Sequence, residues 1–288
     1  VEVRSYLRGM DVFFFAVCGR NGQGISVEEN KIELYNAIDA IKRSDAGRIT
    51  LFEPYLSASR SDRTTRRNSV GFWVHYKTLM SLGVNHIITF QLHSDKSKTA
   101  VDPTLCAIDD VPANPLLANY IAESIVNCKE RYAQGFGTRL VIAHKQRDYF
   151  RQNCVESITL LTDTTLEGKE VWIVDDMIDT GGSVAALVVE LKRRGVARIN
   201  VAVVHAVFSP PALERLSRLH DEGCLDSMVC TDTIEITPEV QAALPFLHVV
   251  SATGFAAEIV LKLHLQQSLS PYFRDFSAEE YFSAPRLF

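Results

Sequence analysis

From Val171 to Ser183 the chain reads VWIVDDMIDTGGS: four apolar residues, two adjacent acids, a third acid, then Thr-Gly-Gly-Ser ahead of a strong helical pattern. Few folds accommodate such a string. The apolar run predicts a buried strand and the glycines a tight turn, while Leu187, Val188 and Leu191 mark one face of a following helix. In a strand, loop and helix of this kind the new helix presents unpaired N–H groups and the positive end of its dipole, and glycine lets the backbone approach an anion. Asp179, Thr180, Gly181, Gly182 and Ser183 are therefore candidate phosphate-binding residues, the two hydroxyls as added donors. Carboxylates repel a phosphate, so Asp175 and Asp176 must face sugar hydroxyls, a cation or a carbon that becomes positive. That combination suits ribose 5-phosphate better than a free triphosphate. The plainer reading of TGGS alone is a Ser or Asp helix cap.

Elsewhere apolar runs of strand length alternate with segments of helical period, the pattern of an α/β protein with a parallel sheet covered by helices. Strands are predicted at 11–17, 48–54, 86–92, 139–145, 170–176, 198–206, 227–232 and 248–253. Helices are predicted over 30–46, with Leu34, Ile38 and Ile41 on one face before Gly47, and over 183–194 before Gly195, each stopping at its glycine. A chain of 288 residues with 47% apolar content can bury one large or two medium cores.

Other properties bound the function. A net charge of −5 with interspersed signs gives no basic field for nucleic acid. No run approaches the roughly 20 apolar residues of a membrane span, and VEVRSYLRGMDVFFF lacks the order of regions in a signal peptide, so a cytoplasmic protein is expected. The six cysteines, Cys18, Cys106, Cys128, Cys154, Cys224 and Cys230, form no CxxC pair and read as reduced thiols.

Two stretches resemble each other: IDAIKRSDAGRIT from Ile38 and VELKRRGVARINV from Val189. A generic amphipathic helix feeding a buried strand gives such a match too. A true duplication implies two similar halves, with a boundary between about 110 and 130 where DDVPANP and NCKE break the pattern. The end, SAEEYFSAPRLF, has no period and reads as a tail packed on a neighbouring surface.

The full string from Val171 to Ser183 resembles the phosphoribosyl pyrophosphate loop shared by type I phosphoribosyltransferases and ribose-phosphate pyrophosphokinases. The chain is longer than one such domain requires, and the resemblance to the pyrophosphokinases covers nearly all of it, from the strand at its start to the helix 254–263. The resemblance implies two phosphoribosyltransferase-like domains, 1–115 on the ATP side and 116–270 on the ribose 5-phosphate side, with a tail 271–288. It implies that Arg60, Ser61, Asp62 and His93 bind ATP, that His93 and Asp102 hold Mg²⁺, and that Lys145 and Arg147 of Lys145-Gln146-Arg147 are catalytic, Arg147 also meeting the ribose phosphate. A homo-oligomer, dimer or hexamer, is likewise implied. Physically, Arg60, Arg63, Arg66 and Arg67 concentrate the positive charge a polyphosphate needs, although a solvated basic loop reads the same way. A histidine ligand for Mg²⁺ rests on the resemblance alone, since that ion prefers oxygen.

The sequence also departs from the family. Its Phe-Ser-Asp-Gly-Glu segment should precede Val1, and its Ser-Pro-Asp-x-Gly-Gly element, with a strand, should stand between the helix 115–126 and Cys128. Asn127-Cys128 joins two elements abruptly, so residues are expected to have been closed up there and before Val1. Gln91 replaces an aspartate, Ser61 a glutamine, and Gln-Gly-Phe-Phe-Asp has become Lys98-Thr99-Ala100-Val101-Asp102. The function expected is transfer of pyrophosphate from ATP to the 1-hydroxyl of ribose 5-phosphate. The alternatives are a non-catalytic regulatory homologue, which divergence in the ATP half would also suit, and a nucleobase phosphoribosyltransferase.

Overall fold

A computed structural model describes residues 1–19, 22–62, 64, 67–99, 101–124, 142–147, 155–161 and 165–273. Arg63, Arg66, Ala100, the junction Asn127-Cys128, Cys154, residues 139–141 of an expected strand and the tail SAEEYFSAPRLF lie outside them. The described residues form two compact units, 1–113 with 232–237 and 251–273, and 114–231 with 238–250.

In the first unit β1 (Asp11–Phe15), β2 (Arg48–Phe52), β3 (His86–Phe90) and β4 (Ala107–Val111) form a parallel sheet in that order. Helix α1 (Val27–Arg43) buries Leu34, Ala37, Ile38 and Ile41, and α2 (Gly71–Ser81) buries Phe72, His75, Tyr76 and Leu79. Both faces recur at three- and four-residue spacing, as a helix lying on a sheet requires. A one-turn α3 (Lys96–Thr99) follows β3.

In the second unit β10 (Leu247–Val250), β9 (Ser227–Thr231), β8 (Arg198–Ala206) and β7 (Glu170–Ile178) run parallel in that order. β8 is buried at eight of its nine positions, which is why RINVAVVHA is nearly continuously apolar. The helices are α4 (Asn114–Ser124), α5 (Gly182–Arg193), α6 (Ala212–Asp221) and α7 (Pro238–Ala243), while α8 (Thr253–His264) belongs to the first unit. A separate antiparallel pair joins β5 (Ile142–Arg147) to β6 (Val155–Leu161). The α/β expectation of two mainly parallel sheets flanked by helices is what the structure has.

Three details differ from expectation. β4, AIDDV, escapes an apolar pattern because two of its five residues are acids with local partners: Asp109 pairs with His86 at 3.0 Å, and Asp110 accepts from Leu92 N at 2.8 Å. β6 was also not expected; its partner is the neighbouring β5, a pairing that the pattern of parallel strands does not suggest. Helix α1 ends at Arg43 rather than running on to Gly47: Asp45 takes the left-handed turn at φ 64, and Gly47 instead permits a close approach, a Cβ there falling 2.7 Å from the Gly9 carbonyl oxygen.

Candidate functional site

The strand β7 delivers Asp175 and Asp176 at half-buried positions, with Oδ1 of Asp175 accepting from Asp176 N at 3.0 Å. After Ile178 the chain leaves the strand at Asp179 and Thr180, turns at Gly181 and enters α5 at Gly182. Gly181 sits at φ 69, ψ 1, a left-handed conformation that costs other L-residues about 1 kcal/mol or more. It is the N-cap of α5, and no side chain bonds the first turn of that helix. The plainer reading of this string, a Ser or Asp cap, is therefore not what the backbone does. The orphan amides at the helix start are left to solvent or an anion, and a left-handed residue followed by a helical one curves successive N–H groups into an anion-binding concavity.

The loop is braced from behind by α6. The Arg215 guanidinium donates through Nη1 to the Thr180 carbonyl. A Cβ on Gly182 would lie 3.3 Å from that nitrogen, and one on Gly181 would touch Ala212 and Leu216. Sequence reasoning missed Arg215, because 35 residues separate it from Thr180 and no local motif announces the contact.

Lys145 and Arg147 stand on β5, opposite Ile158 and Val155 of β6, with the register shifting between Gln146 and Arg147. These and Asp175 to Ser183 lie in the second unit; Arg60, Ser61, Asp62, His93 and Asp102 lie in the first.

In the first unit Arg60 is exposed, and Ser61 and Asp62 are half-buried. Ser61 closes the start of α2, its Oγ accepting from Gly71 N at 2.8 Å and its carbonyl from Phe72 N at 3.0 Å. A hydroxyl that accepts retains its proton for another partner. Behind this segment lies a buried polar chain that the sequence did not disclose. Glu53, wholly buried just past β2, meets His75 Nε2 at 2.9 Å, and His75 Nδ1 meets the Tyr35 hydroxyl at 2.8 Å. Burial, and then the Glu53 carboxylate, push the Cys18 thiol far up. Cys18 is thus an inert core thiol.

His93 and Asp102 are both exposed. Asp102 Oδ1 accepts from Thr104 N at 3.0 Å and Thr104 Oγ1 at 2.6 Å, which holds its carboxyl below the usual range and so ionised at neutral pH. Among the described residues no group of three or more His, Cys, Asp or Glu could hold a metal. A single carboxylate with a single imidazole would be a sparse donor set, of the kind that suits an ion which keeps most of its waters and is otherwise held by substrate phosphates. The loop carrying His93 is pinned from β4: Asp110 takes Leu92 N and also meets Lys98 Nζ at 3.1 Å, while Gln91 N donates to the Val111 carbonyl at 3.2 Å.

Comparison with known proteins gives two family matches, the N-terminal domain of ribose phosphate pyrophosphokinase over residues 1–83 and a phosphoribosyl transferase domain over residues 126–237. A ribose-phosphate pyrophosphokinase of Prochlorococcus marinus is 31% identical over 95% of this chain and 82% of its own length. One from Pasteurella multocida is 30% identical over 95% and 87%. The crystal structure of phosphoribosylpyrophosphate synthetase from Mycobacterium smegmatis superposes with a TM-score of 0.74 at 26% identity, over 91% of this chain and 85% of that one.

Proposed function

This chain belongs to the ribose-phosphate pyrophosphokinase family, and we propose that it transfers the pyrophosphoryl group of ATP to the 1-hydroxyl of ribose 5-phosphate, giving phosphoribosyl pyrophosphate and AMP. The observation that carries this reading is the uncapped start of α5, where Gly181 leaves the amides of a helix N-terminus to an anion directly after two aspartates. Asp179 to Ser183 anchor the 5-phosphate, and Asp175 and Asp176 orient the ribose hydroxyls. Arg60, Ser61, Asp62 and His93 hold ATP in the first unit. The 1-hydroxyl oxygen attacks the β-phosphorus in line, its proton is lost, and the bond to the α-phosphate oxygen breaks with AMP as leaving group. Lys145 and Arg147 offset the charge that gathers on the bridging and non-bridging oxygens, the main service a protein renders to a phosphoryl transition state. Mg²⁺, with His93 and Asp102 as its protein ligands, supplies further neutralisation of the polyphosphate when bound. The domains divide near residue 115, and the protein works as a cytoplasmic homo-oligomer, a dimer or hexamer.

The test is to incubate the protein with ATP, Mg²⁺ and ribose 5-phosphate and to follow AMP by chromatography. AMP that depends on the sugar phosphate, and a Lys145→Ala variant with kcat reduced roughly 100-fold or more at little change in KM, are expected. Ribose 5-phosphate binding without AMP formation would replace this reading with a regulatory homologue. Pyrophosphate release that depends on a nucleobase would replace it with a phosphoribosyltransferase.

A further inference from the structure

A loop of Thr-Gly-Gly-Ser is a poor anchor by itself. Two adjacent residues without Cβ leave the backbone many conformations, and ordering them is costly in entropy. An anion site needs the opposite, amides already aimed before the ligand arrives. The structure holds this loop through one side chain from another helix.

Helix α6 is itself firmly seated, with Ala212, Leu216 and Leu219 buried and Arg215 N bonded to the Pro211 carbonyl at 3.1 Å. From that base the half-buried Arg215 reaches the Thr180 carbonyl and closes the space over Gly182. In a trans peptide the C=O and the following N–H point in opposite directions across one plane. Tying the Thr180 oxygen to Arg215 therefore turns the Gly181 N–H away from α6, and the charged donor makes this bond stronger than one between neutral groups.

We propose that Arg215 is a positioning residue for the 5-phosphate loop, fixing the Thr180–Gly181 peptide so that its N–H joins the free amides at the start of α5. Arg215 acts through the backbone and touches no reacting atom. Its positive charge behind the loop adds to the field of the helix N-terminus. A lysine there keeps one donor for the carbonyl and loses the flat group that covers Gly182.

This rests on the reading that the loop takes the sugar phosphate. The experiment measures KM for ribose 5-phosphate, KM for ATP, kcat and the melting temperature for Arg215→Ala, Arg215→Lys and Gly181→Ala. Arg215→Ala is expected to raise the ribose 5-phosphate KM about tenfold, with the ATP KM and kcat within about twofold, and Arg215→Lys to recover part of the loss. An unchanged ribose 5-phosphate KM overturns the proposal. So does a rise in both KM values that tracks a falling melting temperature, which is the mark of a residue that only supports the fold. Should Arg215→Ala melt too low to assay, Arg215→Lys decides: a raised ribose 5-phosphate KM at wild-type melting supports the proposal, and a wild-type KM sinks it. If Gly181→Ala also leaves ribose 5-phosphate binding intact, the loop assignment has failed; if it weakens binding and Arg215→Ala does not, only the positioning role of Arg215 has.

Discussion

The two units repeat one piece of backbone and finish it differently. In the first, Gly9 N donates to the Asp45 carbonyl and Gly47 N to that of Met10, while Ile49 N donates to the Asn85 side chain and Asn85 N to the Ile49 carbonyl. In the second, Gly168 N donates to Gly195 and Ala197 N to Lys169, while Ile199 N donates to the Asp226 side chain and Asp226 N to the Ile199 carbonyl. Asp11 pairs with Arg48 as Glu170 pairs with Arg198. The two similar stretches thus lie in a structural repeat of helix, turn and strand, although in it Asp45 answers to Gly195 and Ile49 to Ile199, one residue off the match that starts at Ile38 and Val189. Above this shared frame the loops entering α1 and α5 part company. The first unit spends its amides on its own chain: Ser26 and Glu29 form a capping box, Gly22 N donates to Glu235 at 2.9 Å, and Asn30 donates to the Gly19 carbonyl at 2.8 Å. The second unit caps α5 with a bare glycine. A corner that satisfies itself stabilises the fold, and one left open can bind a ligand.

The comparison can be broken at several points. Glu53→Ala removes one end of the buried chain that ties the residue after β2 to α2 and α1. It should cost about 3 kcal/mol, since His75 Nε2 would lose its carboxylate partner inside the core. A denaturant midpoint close to wild type would show that the first unit does not depend on this filling. Gly181→Ala should weaken ribose 5-phosphate roughly thirtyfold by forcing a Cβ into the left-handed turn, measured as KM or by calorimetry, with a smaller loss of stability.

Serine distinguishes the two helix starts more finely. Ser26→Ala should lower stability by about 1 kcal/mol, and Ser183→Ala by less than about 0.5 kcal/mol, because only the first is a cap. Equal losses would erase the contrast. The Ser26 effect also carries a pH signature. The Ser26 hydroxyl, and then its backbone N–H, hold the Glu29 carboxyl below its ordinary value. A depressed carboxylate contributes stability above its unfolded pKa, about 4.3, and loses it as pH falls through the folded value. The gap between wild type and Ser26→Ala should therefore be full at neutral pH and narrow in acid. In the opposite direction, Asp45→Gly should raise stability by about 0.5 kcal/mol, giving the first turn the residue that the second already has in Gly195. A loss would mean that the exposed pair of Arg8 and Asp45 outweighs the relief of the left-handed backbone.

Much of this could be read from residues alone, and the reason is locality. Strands β1, β2, β3, β7, β8, β9 and β10 declare themselves through apolar runs, and α1 and α5 through their apolar faces, because burial on a sheet imposes those periods directly on neighbouring positions. The string from Asp175 to Ser183 is equally local, since the end of β7, one turn and the start of α5 hold all of it. β4 was hidden because its acids are satisfied by Leu92 N, Lys98 and His86, none of them a sequence neighbour. At TGGS alone the plainer sequence reading was a Ser or Asp cap, and it took the backbone, with a left-handed Gly181 as the N-cap of α5, to show that neither residue caps the helix. Arg215 against Thr180, and Tyr35 against His75 against Glu53, were likewise settled by tertiary structure. A hydrogen bond between distant residues leaves no period and no motif along the chain; its energy depends on where packing brings the two groups, and that is decided only when the sheet and helices have closed around them.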